Sequence, residues 1–254
     1  MERNLNKTAL ITGASSGIGR DMARVLAEIG YDLILVARDT NKMLELKKEF
    51  NTNVQIISMD LSIKGNCEKL YEQVKHVDIL INNAGFGVFG NFTETDLDKE
   101  LNLIDTNIKA VHILTKLFLK DMKERDKGHI LNVASIAGFT PGPLMAAYYA
   151  SKAYVLRLSE AINEELKKQK SKVKISVLCP GPVRTNFNNV AGVKFNLNSL
   201  SSEFVARYAI RKMIKGKLII VPGKINKILR VVMKIFPENV CSKFNYYVQK
   251  RKNS

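Results

Sequence analysis

A tyrosine and a lysine four residues apart, Tyr148 and Lys152, form a pair in this sequence that could move a proton. Residues at positions i and i+4 share a helix face, so in a helix the phenol and the ammonium would project into one cleft. Tyr149 would lie about 100° further round the helix, and we expect it to be a packing residue. The alternative is that both rings pack and Lys152 is solvated, because a Y-x-x-x-K pair also arises by chance.

A glycine-rich stretch, ITGASSGIG at residues 11–19, follows the first apolar run and opens the first helical stretch. Its glycines, Gly13, Gly17 and Gly19, allow a tight turn, close approach of the backbone to a phosphate, and close packing of helix on strand. The N–H groups at the start of the helix would then face an anion. The spacing is G-x-x-x-G-x-G, and its place between strand and helix predicts a nucleotide-binding loop.

The end of the second strand, in LILVARD, indicates which dinucleotide would bind. An acid at this point accepts a hydrogen bond from the adenosine 2′-hydroxyl, whereas an arginine pairs with a 2′-phosphate. Arg38 stands where the strand ends, and Asp39 lies one residue further into the loop. We therefore predict NADP(H) as the cofactor. NAD(H) is the alternative, with Arg38 a surface charge and Asp39 bound to the hydroxyl.

Short apolar runs alternate with helix-length amphipathic stretches along most of the chain. Because the apolar runs lack period-two alternation, we expect strands buried on both faces of a parallel sheet. The alternation of β and α predicts a doubly wound α/β fold in a single domain. The predicted strands are 8–12, 32–37, 54–58, 77–82, 129–134, 174–180 and 217–221. The predicted helices are 18–29, 41–50, 63–75, 96–124 and 146–169.

The composition is that of an ordinary globular domain. Hydrophobic residues make up 46% and charged residues 25% of the 254 residues. No apolar run approaches the roughly 18 residues of a membrane-spanning helix, and the N-terminus lacks a signal-peptide core. The three cysteines and three histidines are scattered, which predicts neither a disulfide framework nor a metal site. We expect the protein to be cytoplasmic.

Taken together, the motifs resemble those of the short-chain dehydrogenase/reductase family over residues 5–222. The resemblance implies a Rossmann-type doubly wound sheet of about seven strands in a domain of residues 1–222. Residues 223–254 would form a helical extension of that domain, and the enzyme would be a homodimer or homotetramer. The matching motifs are T-G-x-x-x-G-x-G at 12–19, Asp60 in MDL, NNAG at 82–85, Asn107, Ser135, Tyr148-x-x-x-Lys152 and PGPVRT at 180–185.

The resemblance also implies roles for the catalytic residues. Tyr148 would be the general acid in ketone reduction, with its pKa lowered by the positive charge of Lys152, which would also bind the nicotinamide ribose. Ser135 would donate a hydrogen bond to the developing oxyanion. Asn107 would hold a water that links Lys152 to solvent. In isolation, Ser135 could instead satisfy a strand-end amide and Asn107 could mark a helix bend.

The remaining residues implied by the resemblance bind the cofactor. The glycine-rich turn and Arg38 would hold the phosphates, Asp60 and Leu61 the adenine, and residues 83–85 the adenosine ribose. Residues 180–185 would cover the nicotinamide. By family analogy the cofactor-binding residues are Gly13, Ser15, Ser16, Gly17, Ile18, Gly19, Arg38, Asp60, Leu61, Asn83, Ala84, Gly85, Tyr148, Lys152, Pro180, Gly181, Val183 and Thr185. The alternatives are a helix N-cap for Asp60 and a simple turn for Pro-Gly-Pro.

The C-terminal segment is basic and amphipathic. Residues 203–254 hold 13 Lys/Arg against 2 Asp/Glu, or +11 of the total net charge of +16. Apolar residues at helical spacing fall at Ile225, Ile228, Leu229, Val232, Ile235 and Phe236, before Pro237. A helix pair that packs on the core is the first expectation. A lid over an apolar substrate is the second, and a peripheral membrane contact is the third.

Residues 86–95, 136–147 and 186–205 would surround the substrate, and they are apolar with few charges. A bulky apolar ketone or secondary alcohol therefore fits better than a sugar or a small acid. A hydroxysteroid of bile-acid type and a 3-oxoacyl thioester both remain open. The alternative function is a non-catalytic NADP(H)-binding regulator or scaffold. The basic tail alone, without a recognised motif, does not predict nucleic-acid binding.

Overall fold

The computed structural model describes residues 7–185, 187 and 199–250. Seven strands form one parallel sheet in the order β3-β2-β1-β4-β5-β6-β9. They are β1 Thr8–Thr12, β2 Asp32–Ala37, β3 Val54–Ser58, β4 Ile79–Asn82, β5 His129–Val133, β6 Lys174–Leu178 and β9 Ile219–Ile220. The short strands β7 Val183–Arg184 and β8 Leu200–Ser201 pair in parallel with each other. The seven-stranded parallel sheet predicted from the sequence is confirmed.

Helices follow the strands, as expected for parallel crossovers. They are α1 Gly17–Glu28, α2 Thr40–Lys47, α3 Asn66–Val74, α4 Leu97–Ile104, α5 Val111–Glu124, α6 Ala146–Lys168, α7 Ser202–Ile214, α8 Lys224–Ile235 and α9 Glu238–Lys250. A 3₁₀ turn covers Ile136–Phe139. The long helix predicted over 96–124 is divided by a π-helical turn at Asp105–Ala110. The apolar periodicity runs through this turn unbroken, so the sequence pattern alone could not locate it.

The core lies on both faces of the sheet, as a doubly wound fold requires. On one face, Leu26 of α1 and Val205 and Met213 of α7 pack against the strands. On the other face, Leu70 of α3 and Phe118 of α5 do so. The strand order reverses between β1 and β4, and a crevice opens there beyond the carboxyl ends of the strands.

The two C-terminal helices, α8 and α9, form what we call the C-terminal arm (residues 224–250). The expectation that its apolar stripe packs on the core is wrong for this chain, because Ile225 is 70% and Ile235 72% exposed. The buried side chains of the arm are polar: Asn226, Asn245 and Gln249. The arm therefore presents its amides inward and its apolar side chains outward. Among the described helices, none has the length and apolar character needed to cross a bilayer.

Candidate active site

A continuous cleft of about 520 Å³ lies at the crevice where the strand order reverses. Every site residue predicted from the sequence lines it, apart from Gly19 and Asn107, which lie behind its wall. The cleft thus joins the glycine-rich turn after β1, the ends of β2 to β4, and the start of α6. Its lining includes Gly13, Ser15, Ser16, Gly17, Ile18, Arg38, Asp60, Leu61, Asn83, Ala84, Gly85, Ser135, Tyr148, Lys152, Pro180, Gly181, Val183 and Thr185.

The glycine-rich turn has the geometry of a phosphate cradle. Gly13 and Gly17 adopt φ values of +63° and +55°, a region that side chains disfavour. A Cβ on Gly13 would lie 2.9 Å from the Cα of Ala84. Ser16, the N-cap of α1, makes no side-chain hydrogen bond to the first turn. The first N–H groups of α1 are therefore uncapped by Ser16 and open to an anion in the cleft.

Gly19 and Asn83 fix this turn against β4. The Asn83 side-chain amide donates to the carbonyl oxygens of Thr12 at 3.0 Å and Gly13 at 3.1 Å. A Cβ on Gly19 would stand 2.3 Å from the same amide nitrogen and 2.5 Å from the Gly13 oxygen. Gly19 therefore serves close packing of the turn and does not face the cleft.

Arg38 and Asp39 occupy different environments at the end of β2. Arg38 lines the cleft with its side chain 72% exposed, and it lies 3.6 Å from a carboxylate oxygen of Asp60. Asp39 is the N-cap of α2 and accepts from the Lys42 N–H at 3.1 Å. Its other carboxylate oxygen lies 2.7 Å from the Lys42 ammonium. The carboxylate of Asp39 is thus already engaged, whereas the Arg38 guanidinium is open to a ligand.

Asp60 holds the loop after β3 in place. Its carboxylate accepts from both the N–H and the hydroxyl of Ser62, at 2.9 and 2.7 Å. Burial raises its pKa, but the Ser62 hydrogen bonds and the nearby Arg38 outweigh this, and the pKa lies below its usual value. Helix α3 begins later, after Gly65, so Asp60 is not its N-cap.

Ser135, Tyr148 and Lys152 converge at the substrate end of the cleft. Lys152 is buried, its ammonium donates to the Val133 carbonyl at 2.9 Å and it lies 5.8 Å from the centre of the Tyr148 ring. The Ser135 hydroxyl donates to the Pro180 carbonyl at 3.3 Å and lies close enough to the Tyr148 phenol to lower its pKa. The pair at i and i+4 therefore shares one face of α6, as predicted from the spacing.

The pKa of Tyr148 differs from the expectation. Burial raises it to about 12, against the hydrogen bond with Ser135, which lowers it. Burial also lowers the pKa of Lys152 to about 8. Burial outweighs the effect of Ser135, so the predicted lowering of the Tyr148 pKa is not found; the Lys152 ammonium donates to the Val133 carbonyl. In this geometry the phenol is held protonated, the form that a general acid requires.

Asn107 lies in the π-helical turn behind the cleft and is fully buried. Its side chain accepts from the Phe86 N–H at 3.1 Å and donates to the Phe86 carbonyl at 2.9 Å. It also donates at 3.1 Å to the Ser151 hydroxyl, which in turn donates to the Tyr148 carbonyl at 2.7 Å. This chain of hydrogen bonds ties the loop after β4 to the first turn of α6.

The contact of α9 with the substrate end of the cleft was not predicted from the sequence. The Gln249 amide donates to the Tyr149 hydroxyl at 2.7 Å, and both residues line the cleft. Tyr149 is thus more than a packing residue, although its ring does lie against Gly142 and at 6.2 Å from the Tyr148 ring. Met145 packs in the same apolar cluster. No local pattern around Gln249 signals this contact, which joins residues 100 positions apart.

Comparison with known sequences assigns a family to this site. Residues 7–194 match the family described as short chain dehydrogenase. An uncharacterized oxidoreductase of Staphylococcus epidermidis is 32% identical over 189 residues, which cover 73% of this chain and 81% of the relative. The very-long-chain 3-oxoacyl-CoA reductase of Rattus norvegicus is 34% identical over 177 residues, 64% of this chain and 55% of that protein.

Solved structures of short-chain dehydrogenases superpose on this chain, in agreement with the family match. A short-chain dehydrogenase from Sphingobium yanoikuyae in complex with NADPH superposes with a TM-score of 0.80 at 28% identity, over 91% of this chain and 97% of that one. The bulky-bulky ketone-specific alcohol dehydrogenase of Comamonas testosteroni gives 0.76 at 28%, over 91% and 95%. A short-chain dehydrogenase/reductase from Burkholderia phymatum in complex with NAD gives 0.77 at 26%, over 87% and 90%.

Proposed function

Because this chain belongs to the short-chain dehydrogenase/reductase family, we propose that it is an NADP(H)-dependent oxidoreductase that interconverts a bulky apolar ketone and its secondary alcohol. The observation that carries the proposal is the convergence of Ser135, Tyr148 and Lys152 in the cleft that also contains the glycine-rich turn. A protein that only bound the dinucleotide would need no buried proton donor beside it. The complete set therefore favours an enzyme over a regulator or scaffold.

The preference for NADP(H) rests on the end of β2. Arg38 is exposed in the cleft, where its guanidinium could pair with a 2′-phosphate. Asp39, the competing acceptor for a 2′-hydroxyl, is held by Lys42 at the start of α2. The solved relatives include both an NADPH complex and an NAD complex, so the preference rests on the residues of this chain.

The cofactor, when bound, supplies or accepts the hydride. Tyr148 donates its phenolic proton to the carbonyl oxygen of the ketone in reduction, and burial keeps that proton in place until it is used. Ser135 donates a hydrogen bond to the same oxygen as negative charge develops on it. Lys152 keeps a positive charge beside the phenol and, after transfer, stabilises the phenolate.

Asn107 acts on the site through other residues. By binding both Phe86 and Ser151, it fixes the distance between the loop after β4 and the first turn of α6. Tyr148 lies in that turn, and its carbonyl accepts from Ser151. We assign Asn107 as a positioning residue, and keep the water-mediated relay to Lys152 as a further role to be tested.

The proposed substrate class is supported by the wall around Tyr148. Met145, Tyr149 and Phe187 pack about it, and the rings of Tyr148 and Phe187 are 5.3 Å apart. Such a wall favours a large apolar group on the carbonyl carbon. The similarity to a bulky-bulky ketone-specific enzyme and to a 3-oxoacyl-CoA reductase supports the same class. Both 3-oxoacyl thioesters and steroid ketones are therefore candidate substrates for an activity assay.

A panel of ketones and alcohols with NADPH or NADP⁺, followed at the nicotinamide absorbance, tests the function. We expect turnover with bulky apolar ketones and none with sugars or small acids. Tight NADPH binding with no turnover on any carbonyl class would instead favour the regulatory alternative. We further propose that the protein is cytoplasmic and that it forms a homo-oligomer. Gel filtration and light scattering of the purified chain would test the oligomeric state.

A further inference from the structure

The C-terminal arm differs from an ordinary surface helix pair, because three of its amide side chains are buried and most of its apolar side chains are exposed. Asn226, Asn245 and Gln249 form its buried side. Asn226 donates to the Pro222 carbonyl at 2.8 Å, and Asn245 donates to the Thr140 hydroxyl at 2.9 Å. These amides fasten the arm to the domain by hydrogen bonds. The side of the arm that normally packs on a core is consequently left facing outward.

That outward side is apolar along both helices. In α8 the exposed residues recur at intervals of three and four, and so they share one face. In α9, Val240, Phe244 and Tyr247 do the same, about half a turn away from Asn245 and Gln249. The exposed apolar residues of the arm are Ile225, Ile228, Val231, Val232, Ile235, Phe236, Val240, Phe244, Tyr246 and Tyr247. An apolar surface of this extent marks an interaction site.

The charges beside this face are positive. Residues 224–250 contain six Lys/Arg against one acid, Glu238. Within the part of the chain that the structure describes, four of these lysines form no ion pair: Lys224, Lys227, Lys234 and Lys243. Their ammonium groups are available to anions outside the protein.

We propose that the outward face of the C-terminal arm binds the surface of an anionic lipid bilayer. An apolar face bordered by unpaired lysines matches acyl chains beneath negatively charged headgroups. A second copy of this chain is a poorer occupant, since two arms packed on each other would bring their lysines together with only one acid per arm, Glu238, to offset them. The proposal concerns binding alone and holds whatever the substrate is.

The arm also touches the active site from its inner side. Gln249 lines the substrate end of the cleft, and Asn245 binds Thr140 in the loop before α6. An arm seated on a bilayer would therefore hold the substrate end of the cleft close to the lipid. This arrangement suits a substrate that dissolves in lipid better than in water.

Flotation of the full-length protein with vesicles tests the proposal. We expect co-flotation with phosphatidylcholine–phosphatidylglycerol vesicles, weak binding to pure phosphatidylcholine, and release as the salt rises from about 0.15 M to about 1 M. The double variant Ile228→Glu/Phe244→Glu should bind about a hundredfold more weakly. Leu44→Glu, which changes an exposed leucine of α2, is the matched control and should bind as the unmodified chain does.

Three results would overturn the proposal. The first is full retention of vesicle binding by the double variant with an unchanged melting temperature. The second is competition by millimolar inorganic phosphate, which would indicate an anion site and not a lipid surface. The third result combines two observations. The full-length protein fails to float with the vesicles, and sedimentation shows self-association that the double variant abolishes. That last result would assign the face to a second copy of the chain.

Discussion

The side-chain amide of Gln249, near the end of the chain, donates a 2.7 Å hydrogen bond to the hydroxyl of Tyr149, the residue after Tyr148. Tyr149 in turn lies edge-on to the Tyr148 ring, at 6.2 Å and 77°. The last helix thus reaches the wall of the candidate active site through the contact between Gln249 and Tyr149. The substrate end of the cleft depends on residues 100 positions apart in sequence.

We expect Gln249→Leu to raise KM for a bulky ketone several-fold with little change in kcat. Loss of a buried hydrogen bond costs about 1 kcal/mol, and Gln249 touches the wall of the site but not the reacting atoms. Steady-state kinetics at saturating NADPH would measure both constants.

Tyr149→Phe removes the same hydrogen bond from its other end and serves as the partner variant. The losses of the double variant should sum to less than those of the two single variants, because both changes remove the same Gln249–Tyr149 hydrogen bond. Strictly additive losses would show that Gln249 and Tyr149 act separately.

Tyr148→Phe should lower kcat at least a hundredfold, in keeping with the roughly 10²–10⁴-fold contribution of a positioned proton donor. NADPH affinity should change little, since the phenol oxygen alone is lost. Stopped-flow turnover and fluorescence titration of NADPH would separate the two effects. Tyr149→Phe is the control, and an equal loss of kcat in that variant would refute the assignment of Tyr148.

Arg38→Asp should weaken NADPH binding by about 2 kcal/mol or more, because a charge-assisted contact is replaced by repulsion. NADH binding should be nearly unaffected, since NADH carries no 2′-phosphate. The ratio of kcat/KM for the two cofactors is the measurement. A preference of the unmodified enzyme for NADH would contradict the role given to Arg38.

Lys152→Met should stabilise the cofactor-free protein at neutral pH, and this advantage should shrink as the pH rises. The folded-state pKa of Lys152 is lowered from 10.5 to about 8, so below pH 8 the folded chain holds a buried charge. Between about pH 8 and 10.5 the unfolded chain binds more protons than the folded one. The stability of the unmodified protein therefore rises relative to the variant, by up to about 1.4 kcal/mol per pH unit.

Urea unfolding of both proteins from pH 7 to 10, without cofactor, would measure that difference. A gap that stays constant or widens with pH would mean that Lys152 is not the titrating group. Lys116→Met, on α5, is the control variant. It replaces another lysine by methionine, and its unfolding free energy is measured over the same pH range.

The sheet was predictable because its strands are buried on both faces and therefore carry continuous apolar runs. β1, β2 and β3 match their predicted bounds, as 8–12, 32–37 and 54–58. The residues now placed around the cleft were found because their motifs follow strand ends, where a parallel sheet gathers side chains at one edge. The π-helical turn around Asn107 escaped prediction, since its hydrogen-bond pattern leaves no trace in the apolar periodicity.

The packing of the apolar stripe of the C-terminal arm was mispredicted for a physical reason. Apolar periodicity indicates that a helix has a face to bury, but not what buries it. Here Asn226, Asn245 and Gln249 occupy the inner side, and three amides at helical positions give no sequence signal of burial. Their partners, such as Thr140, come from distant segments that only the fold brings close.

The amide-lined inner side of the arm has a consequence for motion. Its attachment buries few apolar side chains and rests on hydrogen bonds that contribute about 0.5–1.5 kcal/mol each. Detachment of α8 and α9 therefore costs much less free energy than unfolding the sheet, and the arm should open as its own cooperative unit. Its backbone amides should exchange with deuterium well before those of α6 around Leu156, which is fully buried. The frequency of that opening would then limit how quickly a bulky product leaves.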